Sequence, residues 1–250
     1  MKNLLFWLLI AFSGPLFSQV IDIEHMRLDT ENQGFAGSIG LNFKLIKNTR
    51  NLFAFGSTAY VQYRKNDHLV FFINNLAYQT VDDTENINNG TNHFRYNYYW
   101  KPKIILEAFF QSQYNSIALI DQRQLTGAGP RFVLQEADKF KSYLGTIIMF
   151  EHEKIKDIQP IYNDDWRLSL YLALRYLPTD NIALASTTFY QPRIDAFSDY
   201  RVYSHNSATI KIYGKLNFVI TYILDFDVAP ATGIPNTQYQ LLNGISYSFD

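Results

Sequence analysis

The chain has no cysteine in its 250 residues, which excludes a disulfide framework, thiol chemistry and thiolate-ligated metals. Beyond the N-terminus no stretch reaches eighteen consecutive apolar residues, so no membrane-spanning helix is expected. An excess of one charge is also missing: 22 Lys and Arg stand against 23 Asp and Glu, a net charge of −1. A nucleic-acid partner calls for a basic patch, so none is expected. No phosphate-binding glycine loop or dinucleotide fingerprint occurs. His25, His68, His93 and His152 show no metal-ligand spacing, so neither metal nor cofactor is expected.

What the chain does hold is rings: 20 Phe, 18 Tyr and 3 Trp make it 16% aromatic. Mean hydropathy is only −0.15. A strand of a membrane barrel needs an apolar residue at every second position only, so moderate hydropathy and many aromatics are compatible with one. Amphipathic stretches of about ten residues, the length of a barrel strand, are joined by connections that alternate short and long. Short ones fall at 65–67, 101–103, 135–139, 178–181 and 213–215. Longer polar ones fall at 79–91, 115–121, 153–165, 191–200 and 225–236, and only 47–51 breaks the alternation. Tight turns at one end and long loops at the other describe an outer-membrane β-barrel.

The stretch 166–176 is the clearest strand. Trp166, Leu168, Leu170, Leu172, Leu174 and Tyr176 share one face, and Arg167, Ser169, Tyr171, Ala173 and Arg175 the other. Helical periodicity would scatter these leucines, and period two collects them. The stretch rises about 33 Å, which a tilt of roughly 40° projects to about 25 Å, the height of the apolar band. Aromatics at both ends suit the two lipid–water boundaries. Similar alternation runs through 35–45, 53–63, 94–100, 104–110, 202–212 and 216–224, whereas 69–78, 142–152 and 182–190 are apolar on both faces and leave their orientation open.

The expected fold class is therefore all-β: a closed antiparallel transmembrane β-barrel of about twelve strands over 34–250. Residues 1–19, with Lys2, an apolar run from Leu4 to Phe12 and a small residue at Ser18, read as a signal peptide. Residues 20–33 read as a periplasmic or luminal arm. The last stretch, Tyr239 to Phe249, resembles the C-terminal signal read by the barrel-insertion machinery, with its final aromatic one residue before the end. The competing fold is a secreted, soluble all-β protein with the apolar face turned inward.

The most distinctive text is His93-Phe94-Arg95-Tyr96, Glu107-Ala108-Phe109-Phe110-Gln111 and Arg123-Gln124-Leu125-Thr126-Gly127-Ala128-Gly129-Pro130-Arg131. It resembles the salt-induced outer-membrane protein family, a bacterial domain-of-unknown-function family (number 481). Its members pair an Arg-Tyr strand with a Glu-Ala-Phe strand and an Arg…Gly-x-Gly strand. The resemblance implies a Gram-negative outer-membrane barrel and adds no chemistry. The Phe17-Ser18-Gln19 junction and Asn-rich loops suggest a Bacteroidota-like source.

Folding 94–100 onto 104–110, and that onto 120–132, brings Glu107 between Arg95 and Arg131 on the inward face. Gln111, Gln113 and Arg123 extend this cluster towards the loop end, and Gly127 and Gly129 leave room for an arginine or a tyrosine ring. Arg167, Arg175 and Lys211 complete the expected lumen lining. With Lys44 they make it lean basic against Glu107, Asp225 and Glu151, which would favour anionic solutes. The expected role is a passive narrow pathway for small solutes or an envelope-structural barrel, with outer-membrane lipid as its surroundings and no catalytic residue. An outer-membrane hydrolase, lipase- or protease-like, is the competing class. In 204–207, however, His205 and Ser207 share a face, Ser204 points away, and no carboxylate is placed to orient the histidine. Asp82-Asp83 and Asp164-Asp165 are read as solvated loop acids.

Overall fold

The computed structural model describes residues 33–47, 49–214 and 216–247. The signal-peptide reading of 1–19 and all of the 20–33 arm except Gln33 lie outside the described residues. Twelve strands occur among them: β1 (Gly34–Lys47), β2 (Asn51–Lys65), β3 (His68–Val81), β4 (Thr84–Lys101), β5 (Ile104–Asn115) and β6 (Ile120–Ala137), followed by β7 (Phe140–Ile155), β8 (Ile161–Thr179), β9 (Ile182–Pro192), β10 (Tyr200–Tyr213), β11 (Leu216–Asp227) and β12 (Thr237–Tyr247). They form one sheet in chain order, each strand antiparallel to the next. No ladder joins β12 to β1 among the described residues.

Period-two burial follows the alternation read in the chain. On β8, Arg167, Ser169, Tyr171 and Ala173 are buried, while Trp166 and Leu172 are exposed. On β5, Ile105, Glu107, Phe109, Gln111 and Gln113 are buried between exposed Leu106 and Phe110. Within the strands most of the large apolar side chains that remain exposed lie on the outer face. Ile148 is 54% exposed and Trp166 58%. Outward rings pair near both ends of the strands. Phe150 meets Trp166 and Tyr190 meets Tyr200 at the loop end, and Phe140 meets Tyr176 at the turn end.

The strands whose orientation the alternation leaves open owe it to an apolar inner face. Leu69, Phe71 and Ile73 of β3 pack with Tyr60 inside, against half-buried Tyr99. Ile147 and Met149 of β7 and Phe189 of β9 pack with Phe109, Leu125, Tyr171 and Tyr203. Part of the barrel interior is thus an apolar core.

The connections are shorter than their polarity suggests. The expected loop 79–91 is a two-residue turn, Asp82-Asp83, with both residues at positive φ (49° and 61°). That is the conformation a twisted hairpin needs and Asp tolerates. Residues 84–91 extend β4 instead, because Asn89 and Thr91 are buried on its inner face and pair in the ladder. At the same end the other connections shrink to 116–119, 156–160, 193–199 and 228–236. At the opposite end, among the described residues, two-residue turns at 66–67, 102–103, 138–139 and 180–181 join the hairpins.

Candidate functional site

Two buried ionic networks occupy the interior. The first is built where β4, β5 and β6 meet. Glu107 pairs with Asn97 on β4 and Gly129 on β6, so Arg95 and Arg131 are its diagonal neighbours. Arg95 Nη1 lies 3.4 Å from Glu107 Oε2, and Arg131 Nη1 lies 4.0 Å from Oε1. The Tyr171 hydroxyl, on β8, reaches past β6 and β7 to donate a short hydrogen bond to Glu107, and Arg131 donates to that same hydroxyl at 3.2 Å. Arg131 also lies 3.9 Å over the Tyr143 ring. Next to the cluster His93 stacks between Phe71 and Phe109, and Gln111 links His93 to Gln113.

The second network lies nearer the loop end and centres on Glu151 of β7. Arg123 Nε and Arg167 Nε each lie 2.7 Å from its carboxylate, and Arg201 forms a short ion pair with it. Arg201 also reaches Glu153 at 3.2 Å and Asp227 at 2.7 Å, tying β10 to β7 and β11. Arg167 continues outward to Asp165 and Asp199, where Arg193 meets Asp165, Asp195 and Asp199. The hydrogen bond from Arg193 holds the loop carboxyl of Asp195 below its ordinary range. Burying four arginines, with Arg201 half-buried beside them, is tolerable only because each lies within ion-pair distance of a carboxylate.

The structure brings Arg95, Glu107 and Arg131 together, with Gln111 and Gln113 beside them. Arg123 belongs to the second network instead, because it pairs with Glu153 across the β6–β7 ladder. Arg167 is buried in that network too. Arg175 and Lys211 share the inward parity but are exposed, since they sit beside the two-residue turns rather than in the enclosed interior. Among the buried groups Arg95, Arg123, Arg131 and Arg167 outnumber Glu107, Glu151 and Glu153 by one, and half-buried Arg201, Asp225 and Asp227 bring the two signs level.

The glycines serve a different purpose from the one expected. A Cβ on Gly129 would lie 2.0 Å from the Thr146 carbonyl oxygen, so that glycine admits the β7 backbone. A Cβ on Gly127 would meet Phe109, Met149 and Ile147. The tyrosine ring lies over Gly145, where a Cβ would come 1.9 Å from the Tyr171 ring, and this is how Tyr171 reaches across to Glu107.

Sequence reasoning missed Arg201 and Glu153. Arg201 lies one residue before the expected start of its strand, yet it is in phase with His205. Glu153 falls in residues read as loop. His205 and Ser207 are buried on the inner face, while Ser204 points outward and bonds with Thr188 and Asn206. Asp82 accepts from the Asn51 backbone and Asp164 pairs with His152. No group of three or more potential metal ligands occurs among the described residues.

The family described as protein of unknown function, DUF481, matches residues 48–249. The chain belongs to this family. The match runs from the β1–β2 turn to the last strand, and so takes in every member of both networks in a DUF481 chain. Among solved structures, the NanC porin in a rhombohedral crystal form has a similar fold, with a TM-score of 0.52 and 9% identity over 78% of this chain and 94% of that one. A bacterial polysaccharide outer membrane secretin matches at a TM-score of 0.45 and 7% identity over 84% and 89%. No curated protein matches. The porin likeness identifies an all-β, antiparallel, porin-like fold for this DUF481 member.

Proposed function

We propose that this DUF481 protein closes its sheet through β1 and β12 into an outer-membrane barrel and serves as a narrow, passive pathway for small solutes. The observation that carries the reading is its inverted distribution of side chains. Fully buried ion pairs line the inside, and exposed Leu, Ile, Phe and Trp cover the outside. Closure is the arrangement that leaves no backbone group unpaired in hydrocarbon. It is also geometrically available, because an even number of alternating strands sets β12 antiparallel to β1. Among DUF481 proteins we place the chain with the salt-induced outer-membrane members, on the three strands that build the Arg95–Glu107–Arg131 cluster. The near balance of buried charge argues for weak ion selectivity rather than for an anion channel. The reading includes no catalytic step, and lipase and protease assays on the detergent-solubilised protein are expected to give no turnover.

Conductance of the purified protein in planar bilayers tests the reading. Discrete current steps are expected, with a reversal potential in a salt gradient close to zero. A strongly anion-selective current would instead favour the basic lumen expected from the sequence. Absence of any current would leave an envelope-structural barrel.

A further inference from the structure

The interior is not filled evenly around the barrel. Chords of side chains brace the wall from β5 to β10: Tyr171 joins β8 to β5, and Arg201 joins β10 to β7. The inward residues beneath these chords are tightly buried, among them Ile147, Ser169 and Thr187. Beyond them the inner face changes character. Thr209 of β10, Val219 and Thr221 of β11, and Gln238 and Gln240 of β12 are inward by register with buried Ser207, Tyr203 and His205, yet are only half-buried. Two cavities mark the same wall. One of about 40 Å³ lies under the β11–β12 loop, between Arg123, Glu153 and Arg201 and the loop's Pro230. A second of about 20 Å³ steps deeper, to Ile223 and Gln240. Tyr203, Asp225 and Gln238 line both. Where they meet, Asp225 Oδ2 is buried and makes no hydrogen bond to any described group. Such a polar, roomy position suits water or a passing solute.

We propose that water and solute pass off-axis, along the inner face of β10–β12 and past the carboxylate of Asp225, while the β5–β10 wall is a solid brace. The inference rests on the conduit reading and adds which wall carries the path and which residue biases it. Asp225 lines both cavities with Arg123 and Arg201 nearby, so it offsets their charge where the cavities share a wall.

The absence of native cysteine makes the wall directly readable. Thr209→Cys and Thr221→Cys are expected to react with a charged, membrane-impermeant methanethiosulfonate at least about tenfold faster than Ser169→Cys and Thr187→Cys in the folded protein, because an exposed thiol reacts and a buried one is inert. Modified Thr221→Cys should carry less current than the unmodified protein, and Asp225→Asn should shift the reversal potential towards anions. Equal labelling of the four cysteines, or faster labelling at Ser169→Cys, overturns the off-axis path whatever the conductance. Labelling confined to Thr209→Cys and Thr221→Cys in a protein that carries no current overturns the conduit and leaves a water-filled wall. An unchanged reversal potential in Asp225→Asn overturns the role given to that carboxylate.

Discussion

Glu107 is a single carboxylate with two arginines within ion-pair range and a tyrosine hydroxyl bound to it, all out of contact with solvent. Removing it leaves Arg95 and Arg131 buried without their counter-charge. Glu107→Ala should therefore cost about 3–5 kcal/mol, the usual cost of breaking a buried pair from one side. Replacing Arg95, Glu107 and Arg131 together by apolar residues of similar volume should cost less than Glu107→Ala alone. Urea unfolding midpoints in detergent measure both, and an unchanged midpoint in Glu107→Ala would remove the pairing from the account. This cluster was legible in the sequence because its members sit two residues off register on consecutive strands, where alternation fixes their face. The Glu151 network was less legible. Its key contacts, Arg201 with Glu151 and Glu153, skip two strands, and no pattern along the chain reports a chord through the interior.

A strand with polar residues on one face and leucine on the other announces its own orientation, and β8 does so from Trp166 to Tyr176. Leu170 and Leu172 lie midway between Trp166 and Tyr176 on its outer face. Leu172→Arg is expected to destabilise the protein by about 2–4 kcal/mol in lipid vesicles, and Trp166→Arg by no more than about 1 kcal/mol, because the penalty for arginine falls from midplane to interface. Equal penalties, or none at Leu172, would mean that this face does not meet hydrocarbon. β3, β7 and β9 were harder to read because their inner faces carry Leu69, Phe71, Ile73, Ile147, Met149 and Phe189, so that apolar residues fall on both sides. Polarity also misleads about length. Asn89, Thr91 and Glu153 look like loop residues in one dimension, and in three they are buried, inward-facing strand positions.

Fold class, strand number and strand order were legible from the spacing of the turns, because a meander needs only local pairing. The seam between β1 and β12 is the one join that local pairing does not specify, and it decides how the whole molecule behaves. A closed barrel is expected to resist sodium dodecyl sulfate at room temperature and to migrate faster on a gel unheated than boiled. Identical migration of the two samples would count against closure. The strictly sequential order of the ladders has a consequence for how the molecule is made. Each hairpin can be laid down on its predecessor as a zip closes tooth by tooth, with little loop entropy lost at any step. If the sheet closes as proposed, the biogenesis barrier is concentrated in a single event, when the first ribbon of the growing ring must find the last.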